Sequence, residues 1–193
     1  METLLLDALD RAFDNALDTV ENEQGKINEA RSIEWIQQLG SAFAKKYAAD
    51  PKIRVFWKQS DSNRRAFGLN ELLHDVVVVE CEETISPRHK ARIPYVKSAL
   101  WQVESELELN GRSAVMDFNK LVLGSAQNKL FVGPITSDPG SFRESLAPIA
   151  QACSGNVYAA FIPAPNQWYK RSPEVSVWKY RDSNWKPYEC ELI

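Results

Sequence analysis

The chain has little of what marks the specialised protein classes. Its three cysteines, Cys81, Cys153 and Cys190, lie far apart with no paired spacing, which argues against both a disulfide framework and a zinc site. Its two histidines, His74 and His89, show no ligand spacing. No apolar run is long enough for a bilayer span, and Leu4-Leu5-Leu6 is cut short by acidic residues, so the expectation is a cytoplasmic protein with no membrane attachment. Positive charge is not in excess: 23 Lys and Arg face 26 Asp and Glu, for a formal charge of -3. No global basic field announces a nucleic acid, so any such contact must use a local patch. Internal repeats, low-complexity segments and domain-separating linkers are absent, and residues 1–193 read as one domain. Residues 1–25 form a helical arm appended to it.

What is present is an alternation of helical and extended patterns. Residues 3–23 place Leu5, Leu9, Ala12, Phe13 and Ala16 at helical spacing, with Asp7, Asp10, Asp14 and Asp18 opposite and Gly25 as the stop. Residues 27–48 repeat Ile36, Leu39, Phe43 and Tyr47 as a second buried stripe. A short strand follows at 53–57, and the polar stretch 58–65 reads as a loop or irregular hairpin tip. Residues 73–80, with four consecutive valines, form a strand buried on both faces. Further strands at 130–132 and 157–162, a helix at 142–153 and a hairpin turning near Asp182-Ser183-Asn184 complete an α/β pattern. The expected fold is a central mixed sheet flanked by helices, closed by a C-terminal β-hairpin.

The chemistry concentrates in residues 100–123. At a period of two, Gln102, Glu104, Glu106 and Glu108 share one side of a strand, and Val103, Ser105, Leu107 and Leu109 share the other. Like charges in line are destabilising unless solvent, basic side chains or a divalent cation offset them. Asn110-Gly111 turns the chain, and Ser113 caps a helix to about residue 123 that is apolar on most sides, with Asp117 and Lys120 sharing one polar window. Asp75 heads the valine strand, where a carboxylate is tolerable only at a sheet end or over a cavity. Between these strands, residues 86–97 carry Arg88, His89, Lys90, Arg92 and Lys97 and no acid. That stretch is either a solvated surface loop or a phosphate-contacting loop beside the acidic face.

The order helix, strand, strand with Asp75, strand with Glu104 and Glu106, helix with Lys120, strand resembles the core of the PD-(D/E)XK, or restriction-endonuclease-like, nuclease superfamily. His74-Asp75 matches its first motif and Glu104-Ser105-Glu106 its second. Glu106 stands where lysine is typical, and Lys120 on the next helix is the candidate for a migrated lysine. The resemblance covers roughly residues 27–132. It implies a hydrolase, an endonuclease that cleaves DNA with magnesium or manganese. Asp75, Glu104, the Ser105 carbonyl and Glu106 would be metal ligands, Asp75, Glu104, Glu106 and Lys120 the catalytic set, and Arg88, Lys90, Arg92 and Lys97 the DNA contacts. A homodimer is left open.

The spacing also makes chemical sense by itself. Magnesium takes oxygen ligands at about 2.1 Å and keeps several waters, so one or two carboxylates suffice. Glu106 can hold a second ion or orient the attacking water, Lys120 can stabilise charge on the phosphate, and Asp117 can hold Lys120. Glu34 and Glu71 are lesser candidates. Glu108 reads as an exposed end of the row, and both histidines as structural or surface residues. Trp101, Trp168, Trp178 and Trp185 suit core packing better than base stacking, and Tyr169, Lys170 and Arg171 can touch phosphate. Two other readings stand beside the nuclease: a nuclease fold without catalysis that acts as a binding or regulatory module, and an unrelated α/β sandwich whose carboxylates face solvent.

Overall fold

A computed structural model describes residues 1–20, 27–168 and 174–188. A single sheet of seven strands runs in chain order: β1 (Ile53–Trp57), β2 (Val76–Ile85), β3 (Arg92–Ser105), β4 (Asn128–Pro134), β5 (Asn156–Ile162), β6 (Ser176–Arg181) and β7 (Asn184–Pro187). It is mixed, with β3, β4 and β5 parallel and the remaining neighbours antiparallel. Among the described residues five α-helices cover it: α1 (Glu2–Val20), α2 (Ile27–Lys46), α3 (Asp61–Phe67), α4 (Gly111–Val122) and α5 (Pro139–Ala152). None of the described helices is long and apolar enough to cross a membrane.

Strand alternation divides the core. Val76, Val78 and Val103 face α1 and α2 with Trp35, Leu39 and Phe43, while Val77 and Val79 pack on the other face with Phe56 and Phe67. The four-valine run is therefore buried on both sides, as its composition requires. Ala114, Phe118 and Leu121 of α4 and Leu146 and Ala150 of α5 cover the same far face over β4 and β5.

Several expectations need correction. Helix α1 is not an appended arm, because Leu5, Ala8, Leu9 and Ala12 are buried in the main core. In α2 the fully buried positions are Arg31, Trp35, Leu39, Gly40 and Phe43; Leu39 and Phe43 are as expected, and Ile36 and Tyr47 pack half-buried at the edge of the same core. The Arg31 guanidinium donates to the Pro165 carbonyl at 2.5 Å and lies over the Phe13 and Trp168 rings, which makes its burial tolerable. Residues 58–65 contribute to α3 rather than a loop. Its Asn63 is buried and donates to the Val55 carbonyl, and Gly68 ends it at φ 76°. Strand β3 begins at Arg92, so half of the basic stretch is extended ribbon. Helix α4 is capped by Asn110, which accepts from Arg112 N at 3.0 Å, not by Ser113. It is packed on one side only, since Met116 and Leu123 are 60% and 90% exposed.

The C-terminal hairpin turns at Asp182 and Ser183, both at positive φ, as a two-residue hairpin of this twist requires. Gly25, Tyr169, Lys170, Arg171 and Cys190 lie outside the described residues.

Candidate active site

The register that pairs Val76 with Val103 brings Asp75 level with Glu104 where β2 starts and β3 ends. Asp75 Oδ2 accepts from Ser105 N at 2.8 Å. Glu104 is 1% exposed, a costly place for a carboxylate, and both of its oxygens are engaged. His74 Nδ1 lies 2.7 Å from Oε1, which puts the ring proton on Nδ1, and Lys120 Nζ lies 3.1 Å from Oε2. The i,i+3 spacing on α4 sets Asp117 2.6 Å from the same ammonium. Glu106 is half-buried beyond the end of β3, where Glu108 N donates to its Oε1 at 2.8 Å.

These neighbours perturb one another. Burial, and then the charge of Glu104, pushes the Asp75 carboxyl up to about 6. Burial, and then a hydrogen bond with Asp117, raises Glu106 above the usual carboxylate range. Burial works against the Lys120 ammonium, but Asp117 and Glu104 outweigh it and hold its pKa above that of an ordinary lysine. Carboxylates short of positive charge stand next to an ammonium that is held charged.

Beside these groups opens a cleft of about 620 Å³ between the start of α2, the end of β3 and Pro165. Asn28, Glu29 and Ser32 line one wall, and Asp75, Glu106 and Glu108 line the other; among the described residues no lysine or arginine does. Trp35 forms its floor and donates through Nε1 to Ser105 Oγ at 2.8 Å. Since Ser105 N holds Asp75, the indole fixes the segment that carries the site. Among the described residues, no group of three or more His, Cys, Asp and Glu is arranged as a ready metal cage.

No family model, curated protein or solved structure matches this chain. The reading of the site rests on its own geometry.

Asp75, Glu104, Ser105, Glu106, Asp117 and Lys120 are brought together. Arg88, Lys90, Arg92 and Lys97 are not beside them, contrary to the expectation of a basic loop against the acidic face. The nine steps of β2 from Val76 to Ile85 put the tip roughly 30 Å away. Within that hairpin Arg92 pairs with Glu83 at 3.0 Å, and Lys97 with Glu80 and Glu82 at 3.2 and 2.7 Å. Glu34 turns towards Asn15 and Gln38, and Glu71 is exposed. The tryptophans are structural: Trp101 donates to the Tyr47 hydroxyl, Trp168 to the Pro163 carbonyl and Trp185 to the Arg143 carbonyl, while Trp178 lies under the Arg143 guanidinium.

Sequence reasoning missed three residues. His74, for which the sequence suggests a structural or surface place, grips Glu104, and only its adjacency to Asp75 points to this. Glu29 and Trp35 line the cleft from α2, whereas Glu34 of the same helix does not.

Proposed function

We propose that this protein is a metal-dependent phosphodiesterase acting on DNA, with a restriction-endonuclease-like core. The observation that carries the reading is the juxtaposition of Asp75 and buried Glu104 on adjacent strands with Lys120 entering from the next helix. The donor set is oxygen-only and hard, and suits magnesium or manganese. Asp75, Glu104, the Ser105 carbonyl and Glu106 would hold the ion, and Lys120 must then yield Oε2 of Glu104. It has somewhere to go, since Asp117 already binds it and half of its surface is exposed. Bound there, the cation would neutralise phosphate charge and activate water for in-line attack.

The chain's own groups divide the rest of the work. Lys120 offers a fixed positive charge to the phosphoryl oxygens as charge develops. Where Glu106 does not hold the ion, it would instead orient the attacking water and take its proton, a role that its raised proton affinity suits. Trp35 and Ser105 hold the strand end still.

The test is nicking of plasmid in magnesium or manganese by the native chain and by Glu104→Gln and Asp75→Asn variants. Loss in both variants with folding retained is the expected result; equal nicking by all three proteins overturns the reading.

One observation favours a second reading, a nuclease-fold binding module without catalysis: Glu104 is fully satisfied by His74 and Lys120 and needs no cation. Calorimetry separates the two. Manganese or calcium binding that is abolished by Asp75→Asn removes the binding-module reading, and no binding at all removes the enzyme.

A further inference from the structure

Strands β2 and β3 outrun the rest of the sheet. Strand β1 pairs β2 only over Val76–Glu80, and β4 pairs β3 only over Trp101–Ser105. Beyond them Cys81 N still bonds to Lys52 O, and Gln127 N to Ala99 O. Past those bonds, residues 82–85 and 92–98 form a two-stranded ribbon with no further strand on either edge among the described residues. Its tip is a built turn: Lys90 N bonds to Ser86 O and Ser86 N to Ala91 O, each at 2.9 Å, and Lys90 sits at φ 55°. The shaft neutralises itself through Arg92–Glu83 and Lys97 with Glu80 and Glu82. Arg88 and Lys90 at the tip are exposed, and no carboxylate pairs with them among the described residues.

We propose that this ribbon is a duplex-gripping arm, whose tip holds DNA phosphates through Arg88 and Lys90 about nine base pairs from the bond placed at Asp75 and Glu104. The inference rests on the nuclease reading and adds the substrate class, double-stranded DNA of a minimum length. A two-stranded ribbon has the width that the DNA major groove admits. Roughly 30 Å of strand, at about 3.4 Å per base pair, sets the span. Among the described residues the cleft is lined by Glu29, Asp75, Glu106 and Glu108 with Lys120 as the cation beside it, so further positive charge on the molecule would add affinity for a polyanion. The arm supplies it at a distance, while the cleft does the chemistry.

The test uses the full chain and duplexes of about 6, 10, 14 and 20 base pairs, with binding measured in calcium and cleavage in magnesium. The expected result is that affinity rises at least tenfold from the shortest duplex, which is shorter than the span, to the two longest, which exceed it. Arg88→Ala/Lys90→Ala flattens that rise and lowers the salt dependence of binding by about two, from roughly 0.9 per phosphate contact. Arg88→Lys/Lys90→Arg restores both. A length dependence unchanged in the alanine variant, or absent from the native chain, overturns the arm. Length-dependent binding without cleavage keeps the arm and sinks the nuclease; cleavage that is indifferent to Arg88 and Lys90 does the reverse. Sedimentation gives the remaining outcome: a dimer lost on shortening the ribbon would assign its edges to a second copy of the chain and overturn the proposal.

Discussion

Lys120 Nζ stands 3.1 Å from Oε2 of Glu104, a half-exposed ammonium from helix α4 bonded to a carboxylate sealed inside the sheet. The pair is lopsided. Glu104 cannot find water if its partner leaves, whereas Lys120 can, so the lysine is the movable member.

Replacing Lys120 with methionine should therefore expose the cost of Glu104. The expected loss is about 1–3 kcal/mol, below the full value for a buried pair because the lysine is half in solvent. If the site takes a cation, millimolar manganese should recover more stability in Lys120→Met than in the native chain. Thermal melts with and without manganese measure both effects, and identical metal responses would show that Lys120 and the ion do not compete.

Asp75 makes stability depend on pH in a defined direction. Its carboxyl titrates at about 6 when folded, against an ordinary 3.8. Below 3.8 both states are protonated, and the folded chain loses nothing. Between the two values the folded state keeps a proton that the unfolded state has released, so stability falls as pH rises. Above about 6 the loss is complete, at about 3 kcal/mol from roughly 1.4 kcal/mol per pH unit. Asp75→Asn keeps an oxygen acceptor for Ser105 N and should be the more stable protein by about 1–3 kcal/mol near pH 8, with the advantage gone near pH 4. Urea midpoints across that range would check it; a constant difference would mean that Asp75 is not the titrating group.

Trp35 and Ser105 should be coupled. The indole donates to the Ser105 hydroxyl at 2.8 Å, and both residues lie at the cleft. A double-mutant cycle of Trp35→Phe and Ser105→Ala is expected to give about 1 kcal/mol of interaction, as for one partly buried hydrogen bond. Additive losses would show that the bond contributes nothing.

Gly40 inverts an ordinary rule. In a helix interior, alanine for glycine usually gains up to about 1 kcal/mol. Here a Cβ would lie 2.5 Å from the ring of Trp57, whose Nε1 is tied to Gln37 at 2.9 Å. Overpacking against a fixed ring costs about 1–3 kcal/mol, so Gly40→Ala should destabilise the protein in chemical denaturation despite the helical gain.

Much of this molecule was legible from residue order. Four consecutive valines with Asp75 ahead of them marked a strand buried on both faces with a carboxylate at its end, and that is where they lie. Period-two spacing put Gln102 and Glu104 on one side, and the structure has Gln102 accepting from Ala126 N while Glu104 meets α4. The helix at 61–67 is not legible, because Asp61, Ser62 and Asn63 are weak helix formers that favour turns; the buried bond from Asn63 to the Val55 carbonyl outweighs their weak propensity. The reach of β3 was hidden for a related reason. Ribbon residues pair only with each other, and Ile85, Ile93, Tyr95 and Val96 are interspersed with charged residues instead of alternating with them, so no clean period-two pattern announces a strand.

The sequence by itself determined the period-two side shared by Gln102 and Glu104 and the one-turn pairing of Asp117 with Lys120, because spacing along a strand or helix is local geometry. Only the tertiary structure decided how far Arg88 and Lys90 stand from them and that His74 rather than Glu34 grips the site. Those relations depend on strand register and on which helix face is covered, which are set by contacts between residues distant in the chain.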